Sequence, residues 1–145
     1  YLLLAPGRGL RLSDQRAIEA LGASADESSL PVLAFAYRAT CEGDLPIRSV
    51  VSKQCWLLQA MAQMTSEAAV ATITEALVLS ERQKASQPPD PRYDAEESLG
   101  SLLKLGVERD TDVGKRWKKL LTTQLTVDLS PAQATVLDRL RSHID

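Results

Sequence analysis

The chain contains no asparagine, a single histidine and only two cysteines in 145 residues. Each scarcity removes a class of function. Without Asn there is no acceptor for N-glycosylation. Cys41 and Cys55 fall short of a secreted disulfide scaffold and of a structural zinc site, which needs four ligands at close spacing such as C-x-x-C. Two buried, reduced thiols are the expectation for such a pair. A Ser-His-Asp arrangement would have to use His143, two residues from the last, where fraying works against holding a base within about 3 Å of its partner. A solvated histidine, favourably placed against a helix C-terminus, is expected instead. Neither G-x-G-x-x-G nor a P-loop occurs, so no glycine cradle for phosphate is present. No apolar run approaches the roughly 18 residues that cross a bilayer, and the opening YLLLAPGRGL has neither the charged start nor the apolar core of a signal peptide.

What is present suits an ordinary folded domain. Hydrophobic residues make up 44% and charged residues 25% of the chain, which is near the globular average and speaks against disorder. At this length one domain can bury about two thirds of the surface its unfolded chain exposes. Seventeen Lys and Arg stand against nineteen Asp and Glu, a net charge of −2, whereas a broad phosphate-binding face usually brings a positive balance. Cytoplasm or nucleus is the expected location. The chain begins with Tyr rather than Met, so a fragment of a longer protein is expected.

Caps and periodicity predict an all-α fold of about seven helices in antiparallel hairpins, forming one domain over residues 1–145. Ser13 precedes a short helix that Gly22 should stop. Ser28 and Ser29 lead into Leu30-Pro31, with proline in a first turn where its missing N–H costs nothing. The segment LPVLAFAYRATC is apolar nearly all round, which predicts a central helix covered on several sides. Asp44 and Pro46 open a long amphipathic helix, and Ser66 opens a fourth. Residues 85–92, ASQPPDPR, hold three prolines and predict a semi-rigid loop between two helical halves. Beyond it Asp94 and Glu97 match a capping box, followed by Leu99, Leu102 and Leu103 at helical spacing, and GVERD predicts a turn. Ser130, Pro131 and Gln133 give the sharpest start signal in the chain.

An offset of 66 residues lays Leu33 on Leu99, Asp44 on Asp110, Ile47 on Val113, Val51 on Trp117 and Cys55 on Leu121, a weak internal repeat. The stretch EESLGSLLKLGVERDTDVGKRWKKLLTTQL has a Leu-rich helix, a turn with Asp110 and Asp112, and a second helix led by Val113. It resembles the armadillo and HEAT families of helical repeats over residues 28–145. That likeness implies stacked hairpins and a protein-binding role. The proline-rich insert and the lack of a regular 40-residue period depart from the family, and a compact helical bundle is the alternative architecture. VGKRWKKLL is also similar to the last helix of the N-terminal bundle of transcription elongation factor S-II.

Two tryptophans carry the functional expectations. Taking Val113 as the zero of a helical wheel, Trp117 lies about 40° away, within the apolar stripe. Lys115, Lys118 and Lys119 project from the opposite side, with Arg116 on the flank. Stacking on bases needs the aromatic and the cations on one surface, so GKRWKK predicts a core indole beneath a solvated basic patch suited to an acidic partner or a phosphate. Trp56 lies about 180° from Ile47, among Lys53, Gln59 and Gln63. A large aromatic on a polar face marks a binding surface. Ser101-Leu-Leu-Lys104 has the S-x-x-K form of some acyl enzymes but lacks the accompanying S-D-N and K-T-G elements. The paired acids Asp26/Glu27, Glu96/Glu97 and Asp110/Asp112 sit at helix starts or turns, where carboxylates satisfy free N–H groups. The expectation is therefore a protein that is not an enzyme and binds no metal or cofactor. It is a protein–protein interaction or scaffold module of a larger intracellular protein, binding a peptide, a partner helix or a second copy through Trp56, Lys53, Gln59 and Gln63. The alternative is a nucleic-acid-associated domain using the Lys115–Lys119 face.

Overall fold

A computed structural model describes residues 12–42, 47–85 and 94–144, and these are mostly helical with no strand among them. The helices are α1 (Leu12–Ser24), α2 (Leu30–Glu42), α3 (Ile47–Ala62), α4 (Glu67–Ala85), α5 (Ala95–Glu108), α6 (Asp112–Thr122) and α7 (Pro131–Ile144), with one 3-10 turn at Glu27–Ser29 before α2. The Asp44-Pro46 start signal and nearly all of the proline-rich 85–92 segment lie outside the described residues.

The helix starts follow the side chains at their caps. Asp94 accepts from the Glu97 amide at 3.0 Å, Ser66 from the Ala69 amide at 3.2 Å, and Thr111 from the Gly114 amide at 3.0 Å. Ser130 and Gln133 form a reciprocal capping box, the Gln133 amide donating to Ser130 Oγ at 3.1 Å and the Ser130 amide to Gln133 Oε1 at 2.9 Å. The same Gln133 donates through Nε2 to the Ala71 carbonyl and to Thr74 Oγ1, so the cap also docks α7 on α4.

Leu33, Tyr37, Leu57, Leu58, Met61, Val70, Ile73, Leu77, Leu99, Trp117, Leu121 and Leu140 are buried in one hydrophobic cluster. The contacts repeat: α2 packs on α3 and α4, and α5 packs on α6 and α7, while α3 also meets α5 and α4 meets α7. The two three-helix sets start at 30, 47 and 67 and at 95, 112 and 131, close to the 66-residue offset that the sequence carries.

Three expectations are corrected. Gly22 does not end α1, which runs on to Ser24 and turns at Ala25, whose φ is 50°. Gly22 instead lies against α3, where a Cβ would come within 2.8 Å of Ala60 Cα. Gly106 is likewise inside α5, and the turn falls at Arg109–Thr111 around Asp110, with φ 58°. Finally, α2 is not covered on all sides: Phe35 is 59% and Val32 38% exposed, while Thr40 is buried. Thr40 accepts from Gln54 at 3.0 Å and donates to the Tyr37 carbonyl, so a polar residue is accommodated inside by its hydrogen bonds.

Candidate protein-binding groove

On α3, Trp56 and Gln59 follow at i and i+3 and share a face, and Gln63, in the turn just beyond the helix, borders the same cavity. Gln59 and Gln63 are exposed and Trp56 is half-buried, packed in part against the hydrophobic core. Their face borders a cavity of about 310 Å³, closed on the far side by Glu19, Gly22 and Ala23 of α1. The close α1–α3 crossing at Gly22 and Ala60 places that wall beside the indole. Lys53 does not join them. It is 4% exposed and has a bonding partner of its own, because α3 is packed by α1, α2, α4 and α5 and more than one side of it is interior. A wheel drawn for one helix cannot register that second covering layer.

Gln63 also borders a second cavity of about 310 Å³, lined by Ala62, Leu102, Leu105, Gly106, Arg109 and Val113. Gln63 lines both cavities, so they adjoin at the C-terminal end of α3, the first against α1 and the second against α5 and α6, and together they are the candidate groove. Leu102 is 39% and Leu105 40% exposed, one turn apart on α5. Of the three leucines at helical spacing, Leu99 and Leu103 are buried, while Leu102 borders the cavity together with Leu105. The usable signal was angular: Leu105 lies about 120° from Leu99 on the wheel, so the apolar arc of α5 is wider than one contact face needs.

The floor of the second cavity is set by glycine. A Cβ on Gly114 would press into the carbonyl of Gly106, so α5 and α6 cross at backbone contact distance. Trp117 fastens the base: it is 1% exposed, as its helical phase predicts, and its Nε1 donates to the Ala62 carbonyl at 2.6 Å. That bond satisfies an indole N–H that burial would otherwise leave unpaired, and it ties α6 to the end of α3.

Lys115, Arg116, Lys118 and Lys119 are all exposed on the outer side of α6. Lys115 pairs with Asp110 at 3.4 Å. Ser101 and Lys104 lie exposed on α5 and border neither cavity. Cys41 and Cys55 are unpaired and half-buried rather than fully buried, and burial pushes both thiols up, away from the reactive thiolate. Among the described residues no three His, Cys, Asp or Glu side chains gather to hold a metal ion, and no helix is long and apolar enough to cross a membrane. His143 departs from expectation: it is half-buried, packed on α5 so closely that a Cβ on Gly100 would lie 2.5 Å from its ring. No protein-family model, no curated protein and no solved structure matches this chain.

Proposed function

We propose that this chain is a non-catalytic protein–protein interaction module, a scaffold element of a larger intracellular protein, cytoplasmic or nuclear, whose groove takes a helical segment of another protein. The observation that carries the reading is the adjoining pair of cavities with Trp56 at one end and the exposed Leu102 and Leu105 at the other. Half-exposed large apolar groups gathered in one concavity are the usual anchor points of helix-in-groove recognition. The recurring three-helix sets support an armadillo/HEAT-like arrangement of the fold, in which such grooves run across successive helices.

Partner capture from a lysate tests this when wild type is compared with Trp56→Ala and Leu105→Glu. The expected result is a set of proteins retained by wild type and lost by both variants, with circular dichroism unchanged. Retention indifferent to both substitutions overturns the reading, and a dimer dissociated by Leu105→Glu places a second copy in the groove.

The exposed cations of α6 favour nucleic acid as the second reading. Burial of Trp117 removes the stacking platform from that face, which leaves only phosphate contact. A steep fall of oligonucleotide affinity with added salt, abolished by Lys118→Glu/Lys119→Glu, is its signature.

A further inference from the structure

We propose that the Trp56 end of the groove is a site for one cationic group, a guanidinium or alkylammonium presented as an Arg or Lys side chain of the partner; the inference rests on the protein-binding reading above. The lining supplies the chemistry. Glu19 of α1 borders this cavity with Trp56, Gln59 and Gln63, and it is the one charged residue among those that line it. An indole attracts a cation through its ring quadrupole, a carboxylate pairs with it, and amide oxygens accept from its N–H groups. Apart from the Gln15 amide that donates to Glu19 at 3.1 Å, none of these four side chains has a hydrogen-bond or ion-pair partner among the described residues.

The backbone gives the local field the same sign. α1 ends at Ser24 and α3 at Ala62, so Gly22 and Ala23 of the one and Gln59 and Ala60 of the other bring two helix C-termini to this cavity. Each is the negative end of a helix dipole, with last-turn carbonyls that its own helix cannot satisfy; of these, the Ala62 carbonyl is taken by Trp117. A basic residue in the last turn offsets that end, as Lys119 does in α6 and Arg141 and His143 do in α7, but α1 and α3 have none. The flanking sequence does not supply one. Residues 17–37 contain Glu19, Asp26 and Glu27 and no Lys, Arg or His, and residues 54–66 contain no charged residue at all. Arg16 lies one turn before Glu19 but does not line the cavity, Lys53 is buried with a bonding partner of its own, and Arg109 lines only the second cavity. A carboxylate, two dipole ends and an indole therefore act together, with no cation among the lining residues to cancel them.

One carboxylate matches one cation, so the assignment is a single side chain and not a basic partner. Arg and Lys carry their charge on a long apolar stem, which packs along an indole while the head reaches past it to the carboxylate. An anion in the same place would meet Glu19 and both dipole ends. A purely apolar group would cover the carboxylate and the two Gln amides without pairing them. The other end of the groove, with Leu102 and Leu105, has no such acid and takes the partner's apolar residues.

The experiment is selection from a randomised helical-peptide display library with the 145-residue chain, Glu19→Gln and Leu105→Glu as baits. Beside it, wild type is titrated with N-acetylarginine amide and its neutral isostere N-acetylcitrulline amide at constant ionic strength. Glu19 is exposed, so Glu19→Gln removes the charge and keeps the fold, which circular dichroism checks. Expected from wild type are peptides with Arg or Lys recurring at one position, bound about two- to fivefold more weakly by Glu19→Gln. The Trp56 indole N–H resonance should shift with the arginine amide and not with the citrulline amide, while that of Trp117, held on Ala62, stays in place. Peptides that depend on Leu105 but carry no recurring cation overturn the cationic site and leave the groove reading standing. So do peptides whose recurring cation is indifferent to Glu19→Gln. If the arginine amide shifts Trp56 and no peptide is enriched, the site takes a free cation, and both the partner's side chain and the groove reading fail. No enrichment and no shift overturns both as well.

Discussion

The two tryptophans show how far a single-helix phase reaches. Trp117 belonged to an apolar stripe at steps of three and four residues, and it lies fully inside, with its indole N–H on Ala62. Trp117→Ala is expected to cost about 3–5 kcal/mol as a large core truncation, and Trp117→Phe about 1–3 kcal/mol, chiefly from the Ala62 carbonyl left without its donor. Urea unfolding of both variants checks the order. Trp56 is intermediate: one side packs on the core and the other borders the groove, so Trp56→Ala is expected to cost roughly 1–2 kcal/mol, clearly less than Trp117→Ala. Equal losses at the two positions would remove the distinction between a core indole and a groove indole. Lys53 and His143 mark where phase alone stopped. Whether a polar side of α3, or the last turn of α7, is covered depends on helices distant in sequence, and no local pattern records them.

At the scale of elements, the caps were legible because a cap is a local hydrogen bond between residues three apart. Ser66, Asp94 and Ser130 all hold the starts that their sequence context suggested. Gly22 and Gly106 depart from expectation because the same residue serves two purposes: a left-handed stop or a place where backbones touch. Gly22, Gly106 and Gly114 serve the second. Ala is ordinarily the better helix former by about 1 kcal/mol, yet Gly114→Ala is expected to destabilise by several kcal/mol, since the added methyl meets the Gly106 backbone, which cannot move alone. Gly106→Ala meets Thr111 Oγ1 at 3.2 Å and Gly114 Cα at 3.4 Å, a milder crowding. The predicted order is Gly114→Ala far below Gly106→Ala in thermal midpoint, and a reversal would contradict the crossing. A second tether is set by pH. The Thr126 amide, and then its hydroxyl, donate to the Glu67 carboxylate and hold it below the usual carboxylate range. A carboxyl lowered on folding stabilises the segment above its ordinary pKa, and that contribution is lost as pH falls through the lowered value. The protection of the Thr126 amide, its exchange measured against the intrinsic rate at the same pH, is therefore expected to fall on acidification below the ordinary glutamate range, and to be already low at neutral pH in Glu67→Gln.

Across the whole molecule, the question is whether the two three-helix sets unfold together. Each set has its own internal packing and its own tryptophan, Trp56 in the first and Trp117 in the second, which would permit two transitions in a loosely coupled array. Three connections work against that. Trp117 bonds to the end of α3, Gln133 bonds to α4, and Arg139 of α7 bridges Glu96 of α5, at 2.8 and 2.9 Å, to Glu81 of α4. The last of these is partly exposed and screened, so its share is modest. The larger share comes from Val136, Leu137 and Leu140, buried on the face that α7 presents to α4 and α5. Because the core is one cluster rather than two, removing apolar surface from α7 weakens the attachment of both sets at once. Leu140→Ala, expected to cost about 2–5 kcal/mol, should then lower the denaturant midpoint seen by Trp56 in a Trp117→Phe background as much as that seen by Trp117 in a Trp56→Phe background. Two separated midpoints, with only the Trp117 signal shifted, would mean that the sets fold independently and that the groove joining them is not held as one rigid surface.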